Sequence, residues 1–249
     1  MIKILVVSDI HQSLIPHHGI DESMNWSRFL DLLKMERPNI VLDLGDNQDV
    51  SKAGWKGLED SIREIGAEFY MVAGNHENFE LLMVGENKNQ QKFLLPNKKY
   101  VNVEGMTIAG IGGVLSPVKY DDKMRLSEET INERIQNIKK DLYNNHVDLD
   151  IFISHSFPKT NTLEKNYEID KDNFYKAKTS KPYGDAIYLL KPKLALSGHL
   201  HGYAPIMFDY EYGVVINMAG FTDGGNYAII EVSTNPFKVE RISFLKFNR

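Results

Sequence analysis

Val72-Ala73-Gly74-Asn75-His76-Glu77 is the stretch on which the reading of this chain turns. A short apolar run from Glu68 to Val72 precedes it and reads as a buried strand. Phe79-Glu80-Leu81-Leu82 follows and reads as the start of a helix. Asn75 and His76 are therefore expected on a tight turn at the carboxyl end of a strand. In open α/β sheets that edge is where ligands bind. Asn75 offers a neutral oxygen donor to a metal, and His76 a group that can hold or give a proton near neutral pH.

The same pattern recurs on both sides of this stretch. Ile4-Leu5-Val6-Val7 is a continuous apolar run, as in strands buried on both faces, and it ends in Ser8-Asp9-Ile10-His11. Ile40 to Leu44 is a second such strand, followed by Gly45-Asp46-Asn47-Gln48-Asp49. Taken singly, these polar groups read equally well as turn and N-cap residues. Between the strands, Trp26 to Met35 has helical spacing with Asn25 as N-cap and Pro38 as its end. Trp55 to Ile65 is a second helix, stopped by Gly66. Strands alternating with helices predict parallel pairing and right-handed crossovers.

Further on, Tyr100 to Ile111 reads as a hairpin turning at Glu104-Gly105. Ser127 caps a helix running to Leu142. Gly110-Ile111-Gly112-Gly113 lacks the lysine and helix of a phosphate loop and is read as a turn. Leu149 to Ile153 is a strand ending in Ser154-His155-Ser156. Leu194 to Leu196 is another, ending in Ser197-Gly198-His199-Leu200-His201. Ala186 to Leu190 reads as a short helix. Val214–Asn217, Tyr227–Val232 and Val239–Phe247 read as the remaining strands. The polar stretches Gln12–Asn25, Ser116–Met124 and Pro158–Pro182 read as loops bordering the strand ends, where selectivity resides. His17 and His18 are read as solvated, and Tyr167, Tyr175 and Tyr183 as packing or surface residues.

Composition bounds the class. The chain has 249 residues, 42% hydrophobic and 25% charged, which suits one α/β domain over residues 1–249. A formal net charge of -5 disfavours a stable nucleic-acid complex. Without cysteine there are neither disulfides nor thiolate metal sites. The chain enters a strand directly from Met1-Ile2-Lys3, and no apolar run has membrane-spanning length, so the expectation is a cytoplasmic protein with no membrane partner.

Collected at one sheet edge, the polar groups are Asp9, His11, Asp46, Asn75, His76, His155, His199 and His201. Imidazoles with carboxylates suit Mn²⁺, Fe²⁺, Co²⁺ or Zn²⁺. The set is too large for one tetrahedral ion. Two ions about 3.5–4 Å apart, bridged by a carboxylate, would use it and would supply a hydroxide for attack on phosphorus.

In order and rough spacing these five motifs resemble the calcineurin-like metallophosphoesterases, over a span from Lys3 to about Phe244. The resemblance implies a four-layer αββα sandwich with a dinuclear centre holding two divalent ions, Mn²⁺ being the expected ion in vitro. Carried over by position, one ion takes Asp9, His11 and His201, the other Asn75, His155 and His199, and Asp46 bridges them. His76 acts as general acid and Asp49 orients it. Where the family's protein phosphatases have an arginine after this second aspartate, the chain has Val50. That points away from protein substrates and towards a small phosphoester, a phosphodiester ahead of a monoester. Arg125 or Lys123 is the candidate to bind the substrate's charge. A nuclease of the same family and an inactive scaffold are the competing readings.

Overall fold

Apolar runs that end in polar turns become the parallel strands of two stacked sheets. The computed structural model describes residues 1–12, 22–47, 50–77, 93–116, 125–159, 179–200 and 205–247. In chain order the elements are β1 (Ile2–Val7), α1 (Asn25–Glu36), β2 (Ile40–Asp43), α2 (Lys52–Ile65), β3 (Glu68–Met71), β4 (Val101–Val103), β5 (Met106–Ile111), β6 (Val114–Leu115), β7 (Arg125–Leu126) and α3 (Glu128–Asn145). Then come β8 (Ile151–Ser154), β9 (Phe157–Pro158), β10 (Thr179–Ser180), α4 (Lys181–Leu190), β11 (Leu194–Ser197), β12 (Ile206–Tyr210), β13 (Gly213–Asn217), a 3-10 turn (Phe221–Asp223), β14 (Asn226–Thr234) and β15 (Phe237–Lys246).

One sheet has the order β15-β14-β1-β2-β3 and the other β12-β13-β11-β8-β5-β4. Strands β1, β2 and β3 run parallel, as do β5, β8, β11 and β13. Antiparallel strands close the remaining edges.

Successive side chains on a strand face opposite ways, and the packing follows that rule. Ile4, Val6 and Leu42 meet Ile108, Ile153 and Leu196 between the sheets. Their neighbours Leu5, Val7 and Val41 face outward onto Phe29, Leu33 and Leu58 of α1 and α2. On the other sheet Phe152 and Ala195 face Ile135, Ile138 and Ile187 of α3 and α4. The layers run helix, sheet, sheet, helix, so the chain adopts the expected αββα sandwich. Each fully buried aliphatic side chain contributes about 1.5–3 kcal/mol, and three such cores hold the strand ends rigid.

Local readings shift in five places. Asn25 is the first residue of α1 and does not cap it; its amide instead donates to Ile10 O, His11 O and Thr222 Oγ1. Ser51 caps α2, its Oγ accepting the Gly54 N–H. Gly110 and Ile111 belong to β5, so the turn begins only at Gly112. Helix α4 starts at Lys181 with Pro182 in its first turn, where a missing N–H costs nothing. Strand β12, which the sequence pattern does not announce, is an edge strand with Met207 and Asp209 exposed.

Candidate metal centre

The turns after β1, β2, β3, β8 and β11 meet at the seam between the two sheets. Main-chain hydrogen bonds lace them together. Asp9 N–H donates to Gly45 O, His11 N–H to Asp46 O, and Gly113 N–H to Ala73 O. Among the described residues, four of those that converge have left-handed backbone: Asp9 (φ 54°), His11 (φ 45°), Asp46 (φ 65°) and His199 (φ 71°). Asp and His tolerate this region better than most residues, yet it remains strained and persists only where the surroundings over-determine it. Here the Asn25 amide, the interturn bonds and the accepting carboxylate of Asp9 do so. Asp9 Oδ2 accepts from Ser8 Oγ and from the His199 N–H.

Among the described residues, two sets of side chains come close enough to hold an ion each. Asp9, His11 and Asp46 bring one ligand atom apiece to within 4.8 Å of one another, and so do Asp46, His155 and His199. Asp46 belongs to both. Its Oδ2 lies 3.8 Å from His11 Nε2 and 3.2 Å from His155 Nε2, while Oδ1 accepts the His76 N–H at 2.8 Å. Oδ2 accepts no well-directed hydrogen bond among the described residues, although it is buried. His155 is fully buried. Its Nδ1 donates to Leu44 O at 2.8 Å, which fixes the tautomer and leaves Nε2 facing the seam. Around Nε2 stand His199 Nδ1 at 3.1 Å and Asn75 Oδ1 at 3.3 Å. Two imidazole nitrogens and two oxygens crowded together, those of Asp46 and His155 buried and those of Asn75 and His199 on half-buried residues, form a donor set that suits a borderline divalent cation.

Electrostatics give the same picture. Burial opposes ionisation of Asp46, but the imidazoles of His155, His11 and His76 overcome it and hold this carboxyl well below the usual range. Burial would also lower His155; the Asp46 carboxylate outweighs it and pushes the imidazole up to about 10. Asp43 is pushed up to about 7 by burial against the bonds it accepts from Gly45 and Asn47. Glu77 is pushed up to about 8 by burial and by the charge of Asp46. So much buried acid surrounding imidazoles is an environment that added positive charge would relieve.

His76 is exposed at the mouth of the cluster. Its ring stands edge-on to that of His11, centroids 5.2 Å apart. Of the other residues singled out in the sequence, Asp49, His201, His17, His18, Lys123, Tyr167 and Tyr175 lie outside the described residues. Arg125 is exposed on β7, opposite Val114, and belongs to neither set. Tyr183 is fully buried and donates to Gly112 O and Gly113 O, so it is a packing residue. Sequence reasoning missed the second tier of acids, Asp43 and Glu77. Glu77 stood inside the quoted motif; an acid at a buried strand end, as at Asp43, is the signal that could have found the other.

The family profile of the calcineurin-like phosphoesterases matches residues 2–203. No relative emerged among curated protein sequences. Among solved structures the chain is similar to the protein TT1561 of Thermus thermophilus, at 13% identity over 99% of both chains with a TM-score of 0.69. It is also similar to a dimetal phosphatase from Danio rerio, at 10% identity over 99% of both chains with a TM-score of 0.57. A third likeness is to the calcineurin-like phosphoesterase YfkN from Bacillus subtilis, at 14% identity over 99% of this chain and 90% of that one, with a TM-score of 0.50. At such identities these likenesses speak for the fold. The family match spans most of the chain and contains every residue of both metal-holding sets, and the protein is a hydrolase of the calcineurin-like phosphoesterase family.

Proposed function

We propose that this protein hydrolyses a small phosphoester, a phosphodiester in preference to a monoester, at a dinuclear metal centre. The observation that carries the reading is the double membership of Asp46: one carboxylate stands between two sets of ligands. Asp9 and His11, with His201, would hold one ion; Asn75, His155 and His199 would hold the other; Asp46 would bridge. When bound, such a pair makes water nucleophilic at neutral pH and neutralises charge on the phosphoryl oxygens. His76, exposed at the mouth, gives its proton to the leaving oxygen, and Asp49 is the residue proposed to orient it. The diester preference is supported by Val50. It is buried among the side chains of α1 and α2 and carries no charge with which to grip a second phosphoryl anion. A diester presents one negative charge fewer than a monoester dianion and needs fewer cationic contacts.

The test is metal content of the purified protein, together with rates on bis-p-nitrophenyl phosphate and p-nitrophenyl phosphate in Mn²⁺, with and without chelator. About two ions per chain and chelator-sensitive diester turnover are expected. Monoester turnover alone would overturn the diester preference; no ion and no turnover would overturn the proposal.

A further inference from the structure

We infer that Glu77 is a positioning residue of the metal centre, its carboxylate tying the turn that carries Asn75 to the turn that carries Asp46. The inference rests on the metal-centre reading above. Glu77 is buried, and both its oxygens are engaged by main-chain donors. Oε2 accepts the Gly74 N–H at 2.7 Å, and Oε1 accepts the Asn47 N–H at 3.0 Å. Gly74 immediately precedes Asn75, and Asn47 immediately follows Asp46. The side chain therefore spans from the turn after β3 to the turn after β2. A bond in the opposite sense completes the pair, since Asp46 Oδ1 accepts the His76 N–H at 2.8 Å. Each turn thus lends a carboxylate to the main chain of the other.

The geometry has a specific consequence for the ligands. With Oδ1 of Asp46 occupied by His76, only Oδ2 is turned towards His11 and His155. How far Asn75 Oδ1 stands from that oxygen depends on the separation of the two turns, which Glu77 sets. Asn47 is also pinned from the other side, its Nδ2 donating to Asp43 Oδ2 at 2.7 Å. Its position is therefore fixed by two acids, neither of which belongs to the ligand sets. Glu77 belongs to neither set of converging ligand atoms, and both its oxygens are turned to main-chain donors. Its contribution to metal binding passes through Asp46 and Asn75.

Glu77→Gln keeps the shape of the side chain but sets an NH₂ donor against a main-chain N–H, so one of the two bonds is lost. Mn²⁺ binding to metal-free protein is measured by titration calorimetry. It is read beside kcat on bis-p-nitrophenyl phosphate at saturating Mn²⁺ and the melting temperature of the metal-free protein. Wild type should bind two Mn²⁺. Folded Glu77→Gln should bind them about 10–100-fold more weakly, the range typical of groups that orient ligands, with a lower kcat even at saturation. Glu77→Asp, which keeps the carboxyl group but is one methylene short of the span, should fall between. An unchanged isotherm and kcat in folded Glu77→Gln, with only the melting temperature lowered, would reduce Glu77 to a structural role and overturn the inference. If Glu77→Gln does not fold, the same isotherm of Glu77→Asp decides: weakened supports, unchanged overturns. A wild type that binds no divalent ion would instead bring down the metal-centre reading, and the inference with it.

Discussion

Asp46 Oδ2 and His155 Nε2 lie 3.2 Å apart with both side chains buried, an acid and a base that keep each other charged in a dry site. Each is also a proposed ligand, so the protonated imidazole supplies the positive charge that a bound cation would supply to the same carboxylate.

That relationship fixes the sign of the pH dependence. Folded and metal-free, His155 keeps its proton up to about pH 10, against an ordinary value of 6.5. Asp43 and Glu77 keep theirs up to about 7 and about 8, against ordinary values of 3.8 and 4.5. Between roughly pH 5 and 8 the folded chain thus binds more protons than the unfolded chain, so its stability falls as pH rises. The stabilising contribution of the depressed Asp46 is lost only in stronger acid, outside this window. Melting temperatures of chelator-treated protein should therefore decline from pH 5 to 8, while the decline in Mn²⁺-loaded protein should be shallower. Metal binding should release protons and tighten with pH, which calorimetry in buffers of different ionisation enthalpy will show. A metal-free melting temperature that rises through the window would contradict these charge states.

Asp46→Asn should be the most damaging single change at the site. The amide keeps the volume but supplies no anionic oxygen to stand between the two sets. Metal content should drop from about two ions to fewer than one. Affinity should fall by more than the roughly 10–100-fold typical of a supporting group. Elemental analysis after desalting checks it, and retention of both ions would remove Asp46 from its bridging position.

His76→Ala should separate chemistry from metal binding. Its ring lies outside both ligand sets, so metal content should stay near wild type. Loss of a general acid should lower kcat by about 10²–10⁴. The loss should shrink for substrates with an acidic leaving group such as p-nitrophenol, which departs without a proton, and grow for alkyl esters. Equal losses on both classes would point to a different role.

Two glycine substitutions make a controlled comparison. A Cβ at Gly74 would come within 2.0 Å of Asp46 Oδ1. Gly74→Ala should therefore cost at least about 1–3 kcal/mol through overpacking and should cut activity by displacing Asp46. Gly66, the C-cap of α2, has φ +71° and nothing within 4 Å of such a Cβ. Gly66→Ala should cost about 1–2 kcal/mol from left-handed backbone alone and leave kcat unchanged. Denaturant melts and diester rates measure both.

Much of this architecture is legible in the amino-acid sequence. Continuous apolar runs such as Ile4–Val7 and Leu194–Leu196 announce strands buried on both faces, and the polar residues closing each run announce the edge where they gather. Boundaries are less legible, because a cap is decided by tertiary partners. Asn25 looks like an N-cap by type, yet its amide is drawn to the turn at His11. Strand β12 escapes notice because, as an edge strand, it buries too little to leave a strong pattern. Glu77 is hidden for another reason: one of the main-chain N–H groups it receives, that of Asn47, comes from a distant turn, and no local pattern records which turn will lie opposite.

The two ligand sets do not respect the division of the molecule into sheets. Asp9, His11, Asp46 and Asn75 follow strands of one sheet, while His155 and His199 follow strands of the other. An ion held by Asp46, His155 and His199 would fasten one half of the sandwich to the other at its upper rim. In a chain without a single cysteine, that is the cross-brace a disulfide would otherwise provide. Stripping the metal should then loosen the rim selectively: amide exchange should quicken in the strand-end turns, while the apolar interior between the sheets, anchored by residues such as Ile108 and Leu196, stays closed.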